Sequence, residues 1–159
     1  MTDTLRRLDA LDEVSQFIVI TGQNITAYEE VAAFRKNLRH PVELHSYTNK
    51  VARLMAQSDL LVTKPGALTC TEALTMNLPM VLVNALPGQE RANAIHLQEQ
   101  HCACWVNRSE LVESVSGILR NPQKRDAMAK ACGDGPMHSS EEIVKILYGM
   151  IHSAQGSAE

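Results

Sequence analysis

The chain has 159 residues, 45% of them hydrophobic and 21% charged, which is the size and composition of one globular domain and excludes a fibrous repeat or a disordered polymer. A net charge of -3 gives no basic field to attract nucleic acid, and one Trp and two Phe offer little for base stacking, so no nucleic-acid partner is expected. No run approaches membrane-spanning length, and the charged opening Met1-Thr-Asp-Thr-Leu-Arg-Arg-Leu8 is unlike a signal peptide, so a cytoplasmic location is expected.

The first predicted element is a helix over Thr4 to Val14, whose apolar positions Leu5, Leu8, Leu11 and Val14 lie three residues apart and need a sheet to rest on. An α/β unit normally begins with a strand, so this opening predicts a preceding strand that is missing or supplied by something else, and a chain that is a piece of a larger protein.

From there, apolar runs bounded by turn residues alternate with amphipathic stretches. Phe17-Ile-Val-Ile20, Val42 to His45, Leu60 to Val62, Met80 to Val83 and Cys102 to Val106 read as strands. Thr26 to Leu38, Lys50 to Ser58, Ala67 to Met76, Glu90 to Gln100 and Ser109 to Leu119 read as the helices that follow them, with Ser109 as an N-cap. After Asn121-Pro122 two helices are expected without an intervening strand, Gln123 to Cys132 and Ser139 to Ile151, the second capped by Ser139 or Ser140. The predicted fold is α/β, a parallel sheet of about five strands with helices on both faces. It forms one domain over residues 1–152 with a disordered tail over 153–159.

Cys70, Cys102, Cys104 and Cys132, in a chain without an export signal, read as free thiols. His101-Cys102-Ala-Cys104 has metal-ligand residue types, but it overlaps a run expected to be a buried strand, where Cys is a small hydrophobe. No metal is expected. The sequons at Asn24 and Asn107 carry no meaning without secretion.

The chemistry concentrates where predicted strands end. Thr21-Gly22-Gln23-Asn24 follows the first strand, Lys64-Pro-Gly-Ala-Leu-Thr69 the third, and Asn84-Ala-Leu-Pro-Gly-Gln-Glu90 the fourth. In open parallel sheets such ends hold ligands. Pro65-Gly66 stops a strand just before a helix, so amides around Gly66 to Thr69 are left to face an anion, with the Thr69 and Thr71 hydroxyls beside them. Glu72, one turn on from Leu68, would repel phosphate but suits the vicinal hydroxyls of a ribose. The same residues would also serve as an ordinary turn and helix start.

Gly22-Gln-Asn24, Ser58-Asp-Leu-Leu-Val-Thr-Lys-Pro-Gly66, Ala67-Leu-Thr-Cys-Thr-Glu72 and Pro87-Gly-Gln-Glu-Arg-Ala-Asn93 together resemble the donor half of a GT-B glycosyltransferase of the family 28 type. The likeness is to diacylglycerol glycosyltransferases and to the lipid-linked N-acetylglucosaminyltransferase of peptidoglycan synthesis, in register from about Leu5 to about Met150. It implies a Rossmann-like domain that binds a UDP-sugar as donor substrate, with no cofactor. Tyr47 and Thr48 would lie at the uracil, Glu72 at the ribose, and Gly66, Ala67, Leu68 and Thr69 along the diphosphate and sugar. Gln89, Glu90 and Asn93 would bond sugar hydroxyls, with Gly22, Asn24, Pro65 and Gly88 as further candidates.

The resemblance also implies an absent first strand with its glycine loop, and an absent N-terminal acceptor domain, in cis or as a partner chain in trans, through which any membrane contact would run. No histidine among His40, His45, His96, His101, His138 and His152 fits the catalytic base, so turnover by this chain alone is not expected. The exposed face left by the cut could support a homo-oligomer. A non-catalytic nucleotide-sugar-binding subunit and a domain like UDP-N-acetylglucosamine 2-epimerase stand as alternatives.

Overall fold

The fold is taken from a computed structural model that describes residues 1–14, 16–133, 144–146 and 148. Among these residues there are five strands: β1 (Phe17–Ile20), β2 (Val42–His45), β3 (Leu61–Thr63), β4 (Met80–Leu82) and β5 (Ala103–Trp105). Their pairings are parallel, but they form two sheets rather than one: β1 pairs β2, and β3-β4-β5 pair in that order.

Seven helices accompany them up to residue 133: α1 (Thr2–Leu8), α2 (Ile25–Phe34), α3 (Val51–Ala56), α4 (Ala67–Thr75), α5 (Gln89–Glu99), α6 (Leu111–Leu119) and α7 (Pro122–Gly133), with a 3-10 turn over Arg35–Asn37; residues 144–146 and 148 are helical as well. Each strand of the β3-β4-β5 sheet is followed by a helix, the arrangement that parallel pairing requires, since the chain must cross back before it can run in the same direction.

The alternation along β4 shows how the layers are built. Met80 and Leu82 point into one apolar cluster with Cys70 and Ala73 of α4, Ala94 and Leu97 of α5, and Met55 of α3. Val81 points the other way, and with Val83 it meets Leu8 of α1, Leu11, Leu111, Val115 and Ile118 of α6, and Met128 of α7. Every residue of β4 is fully buried. A strand with helices on both faces has no solvent side, so an uninterrupted apolar run is what the period-2 geometry demands.

The structure corrects several boundaries. α1 ends at Leu8, not Val14. Asp9 leaves the helix because its carboxylate accepts the backbone N–H groups of Arg39 and His40, at 3.0 and 3.1 Å, which ties the chain to the loop before β2. Leu11 is nonetheless buried, reached from an irregular segment. Ser109 does not cap α6, which has Glu110 at its N-cap with no side-chain capping bond; the Glu110 carboxylate instead accepts the Asn107 N–H at 3.0 Å. The expected helix over Ser139 to Ile151 and the tail over 153–159 lie largely or wholly outside the described residues.

Cys70, Cys102 and Cys132 are buried and Cys104 is half-buried, and none of the four is in a disulfide. Burial pushes the Cys70 thiol up to about 11 and the Cys132 thiol up to about 12, so both are protonated and unreactive near neutrality.

Candidate functional site

The predicted residues fall into two groups. In the first, the Thr21 N–H donates to the His45 carbonyl at 3.0 Å, and the Thr21 hydroxyl donates to the same oxygen at 3.3 Å. These bonds set the Gly22 and Asn24 loop beside the Tyr47 and Thr48 loop, both at the carboxyl ends of paired strands. Gly22 makes its turn at φ +59°, a conformation that L side chains rarely adopt. Asn24 is engaged locally: its Oδ1 accepts the Ala27 N–H at 2.9 Å and caps α2. Thr48 Oγ1 accepts the Lys50 N–H at 3.1 Å, while the Tyr47 ring is 71% exposed.

The second group gathers around α4 and α5. Lys64 Nζ meets Glu90 Oε1 at 2.9 Å, and Asn93 Nδ2 donates to the Pro65 carbonyl at 3.0 Å. One ion pair and one hydrogen bond thus clamp the loop after β3 to the N-terminal part of α5. Pro65 is buried in the clamp, which fixes the turn ahead of α4. The other carboxylate oxygen of Glu90 accepts the Leu86 N–H at 2.8 Å. The Leu86 amide and then the Lys64 ammonium hold the Glu90 carboxyl below its ordinary range, so it is ionised at neutral pH.

Neither α4 nor α5 is capped by the side chain of its N-cap residue, Gly66 and Gly88 respectively. The first turn of each therefore presents backbone N–H groups that its own cap does not satisfy, although in α5 the Arg91 N–H donates to the Leu86 carbonyl at 3.2 Å, and the clamp joins the two starts. The Glu72 carboxylate, on α4, is exposed and makes no hydrogen bond or ion pair with a described residue. Gln89 is exposed, and Leu68 is 83% exposed although it is large and apolar.

Gly66 and Gly88 differ in what requires a glycine. Gly88 sits at φ 92° and ψ -128°, accessible in practice only without a Cβ. Gly66 has φ -72° and ψ 134°, ordinary extended backbone, and a Cβ there would meet nothing within 4 Å. The fold itself would admit a side chain at residue 66, whereas a ligand lying against that backbone would not.

Two residues at this clamp were not among the predicted ligands. Lys64 was legible as a lone cation just before Pro65-Gly66. Leu86, 57% exposed beside the clamp, carried no distinguishing signal. A cavity of about 370 Å3 between Ala10–Glu13 and α6 contains none of the predicted residues. Of the histidines expected at the surface or its boundary, His40 is half-buried against Asp9 and Phe17, His45 pairs with Glu43, and His96 and His101 are exposed; His138 and His152 lie outside the described residues.

Parallel strands, helices on both faces and two uncapped helix starts clamped together define an α/β domain of the kind that forms one half of a GT-B glycosyltransferase. The solved structures that resemble it support that fold. WaaG, "a glycosyltransferase involved in lipopolysaccharide biosynthesis", matches with a TM-score of 0.69 at 21% identity over 90% of this chain and 41% of its own. MurG of Acinetobacter baumannii matches with a TM-score of 0.69 at 21% identity over 91% and 46%.

The chain belongs to the glycosyltransferase family 28 C-terminal domain family, whose pattern matches residues 3–145. Among its relatives, the processive diacylglycerol beta-glucosyltransferase of Bacillus subtilis is 30% identical over 134 residues, which are 84% of this chain and 35% of the relative. The enzyme of the same name from Bacillus licheniformis is 31% identical over 133 residues, 81% and 34%. The chain thus spans about a third of the length of these relatives. No described helix is long and apolar enough to cross a membrane.

Proposed function

We propose that this chain is the UDP-sugar-binding part of an inverting glycosyltransferase that passes a hexose or N-acetylhexosamine to a lipid-linked acceptor, held by an N-terminal half beyond these residues. The observation that carries the reading is the pair of helix N-termini at Gly66 and Gly88, without side-chain caps and clamped by Lys64–Glu90 and Asn93–Pro65; Glu72, further along α4, offers an exposed carboxylate with no partner among the described residues. Amides of Ala67, Leu68 and Thr69 face the diphosphate, and Glu72 accepts from both ribose hydroxyls. Tyr47 and Thr48 border the uracil, largely through backbone. Gln89 and Glu90 take sugar hydroxyls; Asn93 keeps its Oδ1 for the same task while its amide nitrogen holds Pro65.

On this reading the departing UDP is stabilised by fixed amide dipoles, which need no reorganisation as charge develops. The base comes from the acceptor half, and contact with a membrane surface on the cytoplasmic side runs through that half. The names of the relatives, processive diacylglycerol beta-glucosyltransferases, favour a glycolipid product.

Calorimetric titration tests the ribose assignment. Glu72→Ala removes charge-assisted hydrogen bonds that contribute about 1.5–3 kcal/mol, so UDP and uridine should both weaken by roughly 10- to 100-fold while uracil is unaffected. Unchanged UDP affinity would remove Glu72 from the site.

A further inference from the structure

We infer that the Lys64–Glu90 ion pair is a resting contact that the donor's diphosphate opens: the Lys64 ammonium passes from Glu90 to a phosphate oxygen, and the Glu90 oxygen it leaves is then open to a sugar hydroxyl. The inference rests on the reading that places a diphosphate at the start of α4, and adds an order to it, diphosphate before sugar.

The pair as it stands holds both residues away from those tasks. Glu90 Oε1 meets Lys64 Nζ at 2.9 Å and Oε2 accepts the Leu86 N–H at 2.8 Å, so both carboxylate oxygens are engaged. The Glu90 side chain is 23% exposed and that of Lys64 51%, so the lysine is the member of the pair that a ligand reaches first.

Lys64 is also placed to change partners. It is the one charged residue between Asp59 and Glu72. It stands just ahead of Ala67, Leu68 and Thr69, whose N–H groups have no acceptor among the described residues. A diphosphate drawn to those amides carries more than one negative charge, against the single charge of Glu90, and competes for the same ammonium. Arg91, the other cation in the first turn of α5, is turned to the Trp105 ring, its guanidinium carbon 5.9 Å from the centroid.

The exchange leaves the junction intact. Asn93 Nδ2 holds the Pro65 carbonyl at 3.0 Å, and the Lys64 carbonyl accepts the Gly66 N–H at 2.8 Å, so the loop backbone is fixed without the ion pair. The Leu86 N–H keeps the Glu90 carboxylate oriented after the ammonium has gone. Only the flexible Lys64 side chain moves, a rotamer change of the kind exposed side chains make freely.

Calorimetric titration of UDP into the complete chain and three variants, Lys64→Met, Glu90→Gln and the double variant, tests this. Glutamine keeps an oxygen for the Leu86 N–H and gives up the charge that holds the ammonium, so Glu90→Gln should bind UDP about 2- to 5-fold more tightly. In the Lys64→Met background the same change should alter UDP affinity by less than about 1.5-fold. The unsubstituted chain gives a second readout: crystals grown with UDP should show Lys64 Nζ on a phosphate oxygen and beyond roughly 4 Å from the Glu90 carboxylate. A fixed clamp predicts that Glu90→Gln weakens UDP, and simple relief of charge repulsion predicts the same gain with and without Lys64. Either result, or an intact Lys64–Glu90 pair with UDP bound, would overturn the inference and leave the nucleotide reading standing. No saturable UDP binding by the unsubstituted chain would remove both.

Discussion

Lys64, in the loop after β3, faces Glu90, in the first turn of α5, Nζ to Oε1 at 2.9 Å, and Asn93 repeats the link one turn along α5 by holding the Pro65 carbonyl at 3.0 Å. The two contacts turn separate strand-to-helix junctions into one surface. An ammonium next to two uncapped helix starts also adds positive potential where an anion would sit. Lys64→Met should raise the Kd for UDP by about 3- to 10-fold, scaled to one partly screened charge contact, and leave uridine affinity nearly unchanged. Isothermal titration with both ligands reads the difference.

Loss of the neighbouring bond acts on the fold. Asn93→Ala leaves the Pro65 carbonyl of a buried turn without its donor, and should cost about 1–2 kcal/mol in urea denaturation. Donor affinity should fall as well, because the turn positions the α4 amides.

The two glycines make opposite predictions. Gly88→Ala forces a Cβ into backbone at φ 92° and should destabilise the chain by about 1–3 kcal/mol, although the space around it is open. Gly66→Ala should leave thermal stability unchanged and yet weaken UDP by at least about 10-fold, since the methyl would stand where the diphosphate approaches. Melting curves paired with titration separate the two effects.

Acid should weaken the fold through carboxylates held below their ordinary values. The hydrogen bond from Arg120 does so for Glu13, which joins the segment before β1 to α6, and the Leu86 amide does so for Glu90. Their folded values lie below the ordinary 4.5, so the stability they contribute is fully present above about that pH and is lost as pH falls through the folded values. Glu13→Gln should flatten the dependence of Tm on pH between about pH 3 and 5 and have less effect on its shape above about pH 6.

Thiol labelling checks the core. At about pH 8 the native chain should react at Cys104 and be protected at Cys70, Cys102 and Cys132, with all four reacting in denaturant.

Much of this was legible because the strands are covered on both faces. Met80-Val-Leu-Val83 announces itself as an apolar run, and the Pro65-Gly66 break before Ala67 marks a helix start with nothing to cap it. The limits are equally physical. Periodicity extended α1 through Val14 because Leu11 is buried, while the Asp9 bonds that end the helix are contacts about thirty residues away along the chain. Asn24 was legible as polar and close to a glycine; that its oxygen is engaged by the Ala27 amide is a property of local geometry. The division into two sheets was not legible, since the apolar runs of β1 and β3 read as strands of one covered sheet, although all of their residues are only partly buried.

The central claim is that a sugar nucleotide binds at the joined starts of α4 and α5. The most direct measurement is an amide NMR titration of the 15N-labelled chain with UDP and then a UDP-sugar. The account predicts saturable shifts at Ala67, Leu68 and Thr69 with UDP, further shifts at Gln89 and Glu90 with the sugar attached, and loss of both in Gly66→Ala. Shifts confined to other parts of the chain, or none at millimolar UDP, would contradict it.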